Sequence, residues 1–158
     1  MTFTLKSDAF EHLKTIPAKY AMKQGNISPP LHWNNAPSTT KSFALIMDDL
    51  KGPLRSIYTI PHWILYNIPK GVESLEEGIV LEKDNDLGIC QINNIFRKCE
   101  YCGPAPPVGT HLYRFKIYAL NTDFKSNSIN SRSKLIKQMK KHIIDTAELH
   151  GFYPSKNK

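Results

Sequence analysis

Two histidines, an aspartate and a tyrosine are the side chains of this sequence best suited to joint chemistry: Asp49, His62, His111 and Tyr113. Asp49 lies at the exit of an apolar run, just before a Lys51-Gly52-Pro53 turn, and His62 opens the next such run directly after a proline. His111 closes the proline-rich loop Gly103-Pro104-Ala105-Pro106-Pro107-Val108-Gly109, and Tyr113 begins a third run. All four therefore fall at strand ends, where loops meet and pockets form. Two imidazoles can donate charge-assisted hydrogen bonds to a phosphate, while a carboxylate fixes the tautomer of one or shares a proton with the ligand. Each residue also has a plainer role. A strand-end histidine is commonly satisfied by a backbone carbonyl, and an aspartate before a Gly-Pro turn commonly caps that turn.

The cysteines offer a competing chemistry. Cys90, Cys99, Cys102 and His111 read C-x8-C-x2-C-x8-H, which supplies four zinc ligands, and Cys99 with Cys102 forms a candidate redox dithiol. The eight-residue gaps match no standard zinc knuckle, and no helix start follows Cys99 to lower its pKa. The expectation is no metal and no cofactor, with plain buried or loop thiols. A nucleophile is not evident either: Ser56 and Thr59 sit in a loop without a motif, and no Gly-x-Ser-x-Gly elbow is present.

The elements that must position these groups are mostly strands. Ser42-Phe43-Ala44-Leu45-Ile46-Met47 is apolar after its first residue, as a strand covered on both faces should be. His62 to Ile68 is aromatic and β-branched between Pro61 and Pro69, which favours a strand over a helix. In Leu112 to Leu120, Tyr113, Phe115, Ile117 and Ala119 share one face. Thr2 to Lys6 reads as an opening strand, Thr15 to Met22 as a short edge strand, and Gly25 to Pro30 as a loop. One long helix is expected from about Arg132 to Leu149, with Ile136, Met139, Ile143 and Ala147 as its apolar stripe, Ser131 as N-cap and Gly151 as its stop. Lys134, Lys137, Lys140 and Lys141 then form a solvated face, or alternatively one that meets phosphate or membrane.

Composition fits this picture. In 158 residues, 11 prolines against 8 glycines suit a chain of many turns and edges. Apolar runs are far shorter than the roughly 20 residues that span a bilayer, and no secretory leader is visible, so a soluble, cytoplasmic protein is expected. Three cysteines cannot close into pairs within one chain, which favours reduced thiols. The net charge of +7 favours anionic partners, but no zinc-finger spacing or aromatic-rich basic motif accompanies it, so no nucleic acid is expected.

Several segments resemble one family. Gly25-Asn26-Ile27-Ser28-Pro29-Pro30-Leu31-His32-Trp33, Ala36-Pro37 and Lys41-Ser42-Phe43-Ala44-Leu45 resemble the opening of the phosphatidylethanolamine-binding proteins, closest to their bacterial and archaeal Raf-kinase-inhibitor-like branch. Pro61-His62-Trp63-Ile64-Leu65-Tyr66-Asn67-Ile68-Pro69 resembles the family's His-Trp-x-x-x-Asn-Ile-Pro strand. Gly103 to Pro107 with Gly109-Thr110-His111 and Tyr113 resembles its second signature, and Ala147-Glu148-Leu149 with Gly151 its terminal helix. The resemblance implies a single domain over residues 1–158 with a small anion pocket at one end. The pocket residues carried over are Asp49, His62, Gly103, Pro106, His111 and Tyr113.

The chain also departs from the family pattern. Lys51 stands where the Asp-Pro-Asp-x-Pro signature has its second aspartate, Ile60 where an aromatic is usual, and Leu112 where His-Arg-Tyr has its arginine. If Lys51 faces the pocket, more highly charged anions are favoured.

The fold class expected is all-β with minor α: an antiparallel Greek-key β-sandwich with short helices and one C-terminal helix. The function expected is a small binding or regulatory module for phosphate or a phospholipid head group, with a protein partner such as a kinase, acting as monomer or homodimer. A hydrolase or lyase using the same Asp/His group on a phosphoester is the alternative. A basic interaction protein meeting nucleic acid or membrane through the helix lysines is the third reading.

Overall fold

Every residue from Ser42 to Asp49 is buried, as the unbroken apolar run requires of a strand covered on both sides. The computed structural model describes residues 1–50 and 59–154. Its elements are β1 (Thr4–Lys6), β2 (Lys14–Thr15), a 3-10 turn at Ala18–Tyr20, β3 (Leu31–Asn34), β4 (Ser42–Asp49), β5 (Ile60–Pro69), β6 (Ser74–Leu75), β7 (Cys90–Gln91), β8 (Thr110–Leu120), α1 (Arg132–Met139) and β9 (Ile143–Pro154). They form a three-stranded sheet, β1-β3-β6, and a six-stranded sheet, β2-β9-β8-β4-β5-β7, both open. Among the described residues only the short β2–β9 pairing is parallel; the other strand pairs run antiparallel.

The large sheet separates two cores. Phe43, Leu45 and Met47 of β4 join Phe115, Ile117 and Ala119 of β8 on the face that meets Leu5, Leu31 and Trp33 of the small sheet. Ala44 and Ile46 face the other way, toward Leu135 and Met139 of α1. The expected shared face of Tyr113, Phe115, Ile117 and Ala119 is present. The fold is mostly β with one α-helix.

The long helix is corrected. Ser131 does cap it, its Oγ accepting from the Lys134 N–H at 3.2 Å, but α1 ends at Met139. Residues from Ile143 onward form β9 instead, so Ala147, Glu148, Leu149 and Gly151 belong to a strand and not to a terminal helix. A four-residue spacing such as Ile143 to Ala147 satisfies a strand's period of two as well as a helical turn. The β-branched Ile143, Ile144 and Thr146 favour the strand, and β9 then pairs with the whole length of β8. Gly151 is no helix stop. A Cβ there would lie 2.5 Å from Ile16 and 2.8 Å from Phe10, so glycine lets β2 and its neighbours close against β9. The expected edge strand near residue 15 shrinks to two residues, and the buried Tyr20 sits in the 3-10 turn after it.

Candidate functional site

Three adjacent strands of the large sheet bring the candidate residues together. Asp49 ends β4, and its cross-strand partners are Tyr113 on β8 and Ile60 on β5. His111 precedes Tyr113 by two on β8, hence on the same face. On β5 the ladder slips: Met47 pairs with Trp63 but Asp48 with Pro61, leaving His62 as an extra residue in a bulge. A bulge re-aims a side chain that strict alternation would send elsewhere. Here it turns His62 to the face of Tyr113, against whose ring it packs edge-on with centroids 5.4 Å apart. The His111 ring stacks on that same tyrosine at 6.4 Å.

The hydrogen bonds fix how each imidazole presents itself. His111 Nδ1 lies 2.7 Å from Asp49 Oδ2, with both side chains buried. His62 Nδ1 lies 2.9 Å from the Cys102 carbonyl and 3.1 Å from the Gly103 carbonyl. Carbonyls and carboxylates only accept, so Nδ1 carries the proton in both rings and Nε2 is the nitrogen left for a ligand. Burial pulls the His62 pKa down, opposed by the Cys102 carbonyl and the charge of Asp49. A neutral ring protonated at Nδ1 carries its lone pair on Nε2. Burial and then the Asp49 charge push the Tyr113 pKa up, so its hydroxyl stays protonated while it accepts from the Ala105 N–H at 3.2 Å.

Gly103 is where it is because nothing larger fits. A Cβ would stand 1.8 Å from the Tyr20 carbonyl oxygen. Around it, Gly103 N–H donates to Asn26 Oδ1 at 2.8 Å, Tyr101 Oη donates to the Tyr20 carbonyl at 2.9 Å, and Met22 N–H donates to the Pro104 carbonyl at 3.0 Å. The loop carrying the two carbonyls that hold His62 is thereby stitched to residues 20–26. Pro106 is buried and lines a cavity of about 390 Å³ with Phe96, Pro104, Ala105 and Tyr153. A larger cavity, about 610 Å³, lies between β1 and β9 and contains none of the candidate residues. Lys51 and Ser56 lie outside the described residues.

The zinc alternative is not assembled. Cys99 is exposed and donates to Asn93 Oδ1 at 3.0 Å, Cys102 is buried with its thiol pKa pushed up by burial, and His111 is engaged by Asp49. All three thiols are free, and Cys99 and Cys102 are not joined. Two residues escaped the sequence reading. Phe96 packs edge-on against His62 with centroids 5.7 Å apart, completing its enclosure. Asn94 is buried and organises the turn that carries Phe96. A phenylalanine in a loop belongs to no periodic pattern, so no sequence signal marks it.

A two-sheet β fold with a buried Asp–His pair, a second histidine in a bulge and a glycine-proline loop describes a class as well as a chain. Residues 6–154 match the sequence model of the phosphatidylethanolamine-binding protein family, and the chain belongs to that family. A UPF0098 protein of Methanothermobacter thermautotrophicus is 37% identical over 149 residues, covering 94% of this chain and 97% of its own length. A UPF0098 protein of Pyrococcus horikoshii is 39% identical over 154 residues, covering 95% of this chain and 76% of its own. The crystal structure of a Chlamydia trachomatis homologue of the phosphatidylethanolamine-binding proteins superposes with a TM-score of 0.86 at 35% identity, covering 96% and 97% of the two chains. That of Escherichia coli YbcL, a member of the mammalian family, superposes with a TM-score of 0.87 at 28% identity, covering 99% and 100%. No helix among the described residues is long and apolar enough to cross a membrane.

Proposed function

We propose that the protein is a binding or regulatory module whose pocket takes a phosphate or a phosphorylated head group, using Asp49, His62, Gly103, Pro106, His111 and Tyr113. The observation that carries this reading is the pair of imidazoles packed on one tyrosine ring, each with Nδ1 committed and Nε2 left over. Protonated at Nε2, each ring donates a charge-assisted hydrogen bond to an anion's oxygen. Asp49 balances the charge of His111, and the His62 clamp supplies two carbonyl acceptors for the imidazolium that the anion induces. A single domain over 1–158 with Greek-key connections, a cytoplasmic location and a protein partner such as a kinase are parts of the same reading. In support of the single domain, both cores share one sheet.

The hydrolase alternative finds less support. Among the described residues, the hydroxyl beside Asp49 and His111 is that of Tyr113, which burial keeps protonated. Titration calorimetry with sulfate, whose charge is constant near neutrality, tests the proposal. His62→Ala and His111→Ala are expected to weaken binding at least tenfold each, since each removes a charge-assisted hydrogen bond of roughly 1.5–3 kcal/mol. Affinity unchanged in both variants refutes it.

A further inference from the structure

The turn after β7 leaves apolar side chains in water on a backbone whose N–H groups are all bonded within the protein. Asn94 Oδ1 accepts from the N–H groups of Phe96 at 2.9 Å and Lys98 at 3.2 Å. The Asn94 carbonyl accepts from Arg97 N–H at 3.0 Å, and Ile95 N–H donates to the Pro61 carbonyl of β5 at 2.9 Å. Asn94 Nδ2 donates to the Glu100 carbonyl at 2.9 Å. All four amides from Ile95 to Lys98 are thus satisfied inside the protein, and Arg97 adopts a φ of 60° to close the turn. The tip nevertheless exposes 51% of Ile95 and 41% of Phe96, followed at once by the exposed Arg97 and Lys98. Lys23 is exposed on the far side of the cavity that Phe96 lines, and Val108 is 75% exposed beside Pro107, which lines that cavity too. Among the described residues, neither Arg97 nor Lys23 forms an ion pair, while Lys98 meets Glu100 at 3.7 Å.

We propose that the Ile95–Lys98 turn is an interfacial anchor that seats the protein on an anionic phospholipid surface. An unpaired N–H is costly away from water, so a tip that enters the head-group layer gains from donors already paired within the protein. Two apolar side chains backed by cations are the combination such a layer rewards. A four-residue tip is small for a protein partner, whose stable docking takes about 800 Å² per side. Phe96 belongs to the anchor and packs against His62, so seating the tip brings the pocket close to lipid head groups. In this the proposal deepens the phosphate-pocket reading by naming the source of the phosphate, while the anchor itself does not require that pocket.

Co-sedimentation with vesicles of phosphatidylcholine, with and without phosphatidylglycerol, tests it. The protein is expected to partition onto the phosphatidylglycerol vesicles and to be released by salt. Ile95→Asp is expected to weaken this partition at least tenfold, the effect of withdrawing one buried aliphatic side chain. Arg97→Gln is expected to weaken it about fivefold. Sulfate affinity stays unchanged in both, which also shows the variants are folded; Ile95→Ser repeats the test without a new charge. The His62→Ala/His111→Ala double variant loses sulfate binding but still partitions, which separates failure of the pocket from failure of the anchor. No partition by the wild type, or partition indifferent to Ile95 and Arg97, overturns the proposal. So does Ile95-dependent capture of polyglutamate with vesicles ignored, which would make the turn a protein-docking surface.

Discussion

Asp48 and Asp49 are neighbours in β4, yet they face opposite cores and do opposite things. Asp48 is held by Arg132 through both Nε and a terminal nitrogen, at 3.1 and 2.8 Å, and by Arg114 at 3.3 Å. Its partners cannot lose their protons, so this carboxylate is a fixed rivet between the first turn of α1 and the sheet. Asp49 instead meets an imidazole, His111 Nδ1 at 2.7 Å, and lies across the ladder from Tyr113. One strand thus carries a carboxylate clamped by arginines on one face and one paired with a candidate-site histidine on the other. The choice of partner, not burial, separates them, since both aspartates are almost fully buried.

The largest effect expected from breaking this contrast is on stability. Asp48→Ala leaves two arginines without their counter-ion and should cost about 3 kcal/mol, the low end for a broken buried pair because both arginines keep some contact with water. Urea denaturation measures the loss, and sulfate affinity at 25 °C should barely change while the protein remains folded. Gly103→Ala should come next, at about 1–3 kcal/mol for forcing a methyl group against backbone. Unlike Asp48→Ala it should also weaken sulfate binding, because the carbonyl it displaces holds His62.

Smaller effects appear on titration. Because burial lowers the His62 pKa in the folded state, the neutral ring contributes stability that is full above its ordinary value of 6.5 and is lost as the pH falls below it. The slope is expected to approach about 1.4 kcal/mol per pH unit at its steepest, and His62→Gln should remove that part of it in acid denaturation curves. Sulfate binding should show the reverse trend. An anion beside His62 favours its protonated ring, so affinity should rise as the pH falls toward and below 6.5, by at most about tenfold per unit for that one ring. A sulfate affinity independent of pH in the wild type would remove the distinction between the arginine-clamped face and the histidine-bearing one.

Much of this was legible in the sequence where burial imposes composition. The unbroken apolar run of β4 and the alternation in β8 located the two strands that carry Asp49, His111 and Tyr113. The resemblance supplied Gly103 and Pro106, but the reason for Gly103 is a carbonyl of Tyr20 far back in the chain, which no local pattern encodes. β9 was misread because its four-residue spacing fits two periods at once. The bulge at His62 was invisible for a different reason: a ladder belongs to two strands, and its slip is written in neither alone. Phe96 was missed because its place is set by Asn94 and a turn, where hydrophobic periodicity has no say.

The bulge has a consequence for how such a pocket changes over time. His62 has no cross-strand partner, so exchanging its side chain disturbs no rung between β4 and β5. The ligand-facing identity at that point is tied to the Cys102–Gly103 loop and not to the β4–β5 ladder, so a change there is felt by the loop that walls the cleft before it is felt by the sheet.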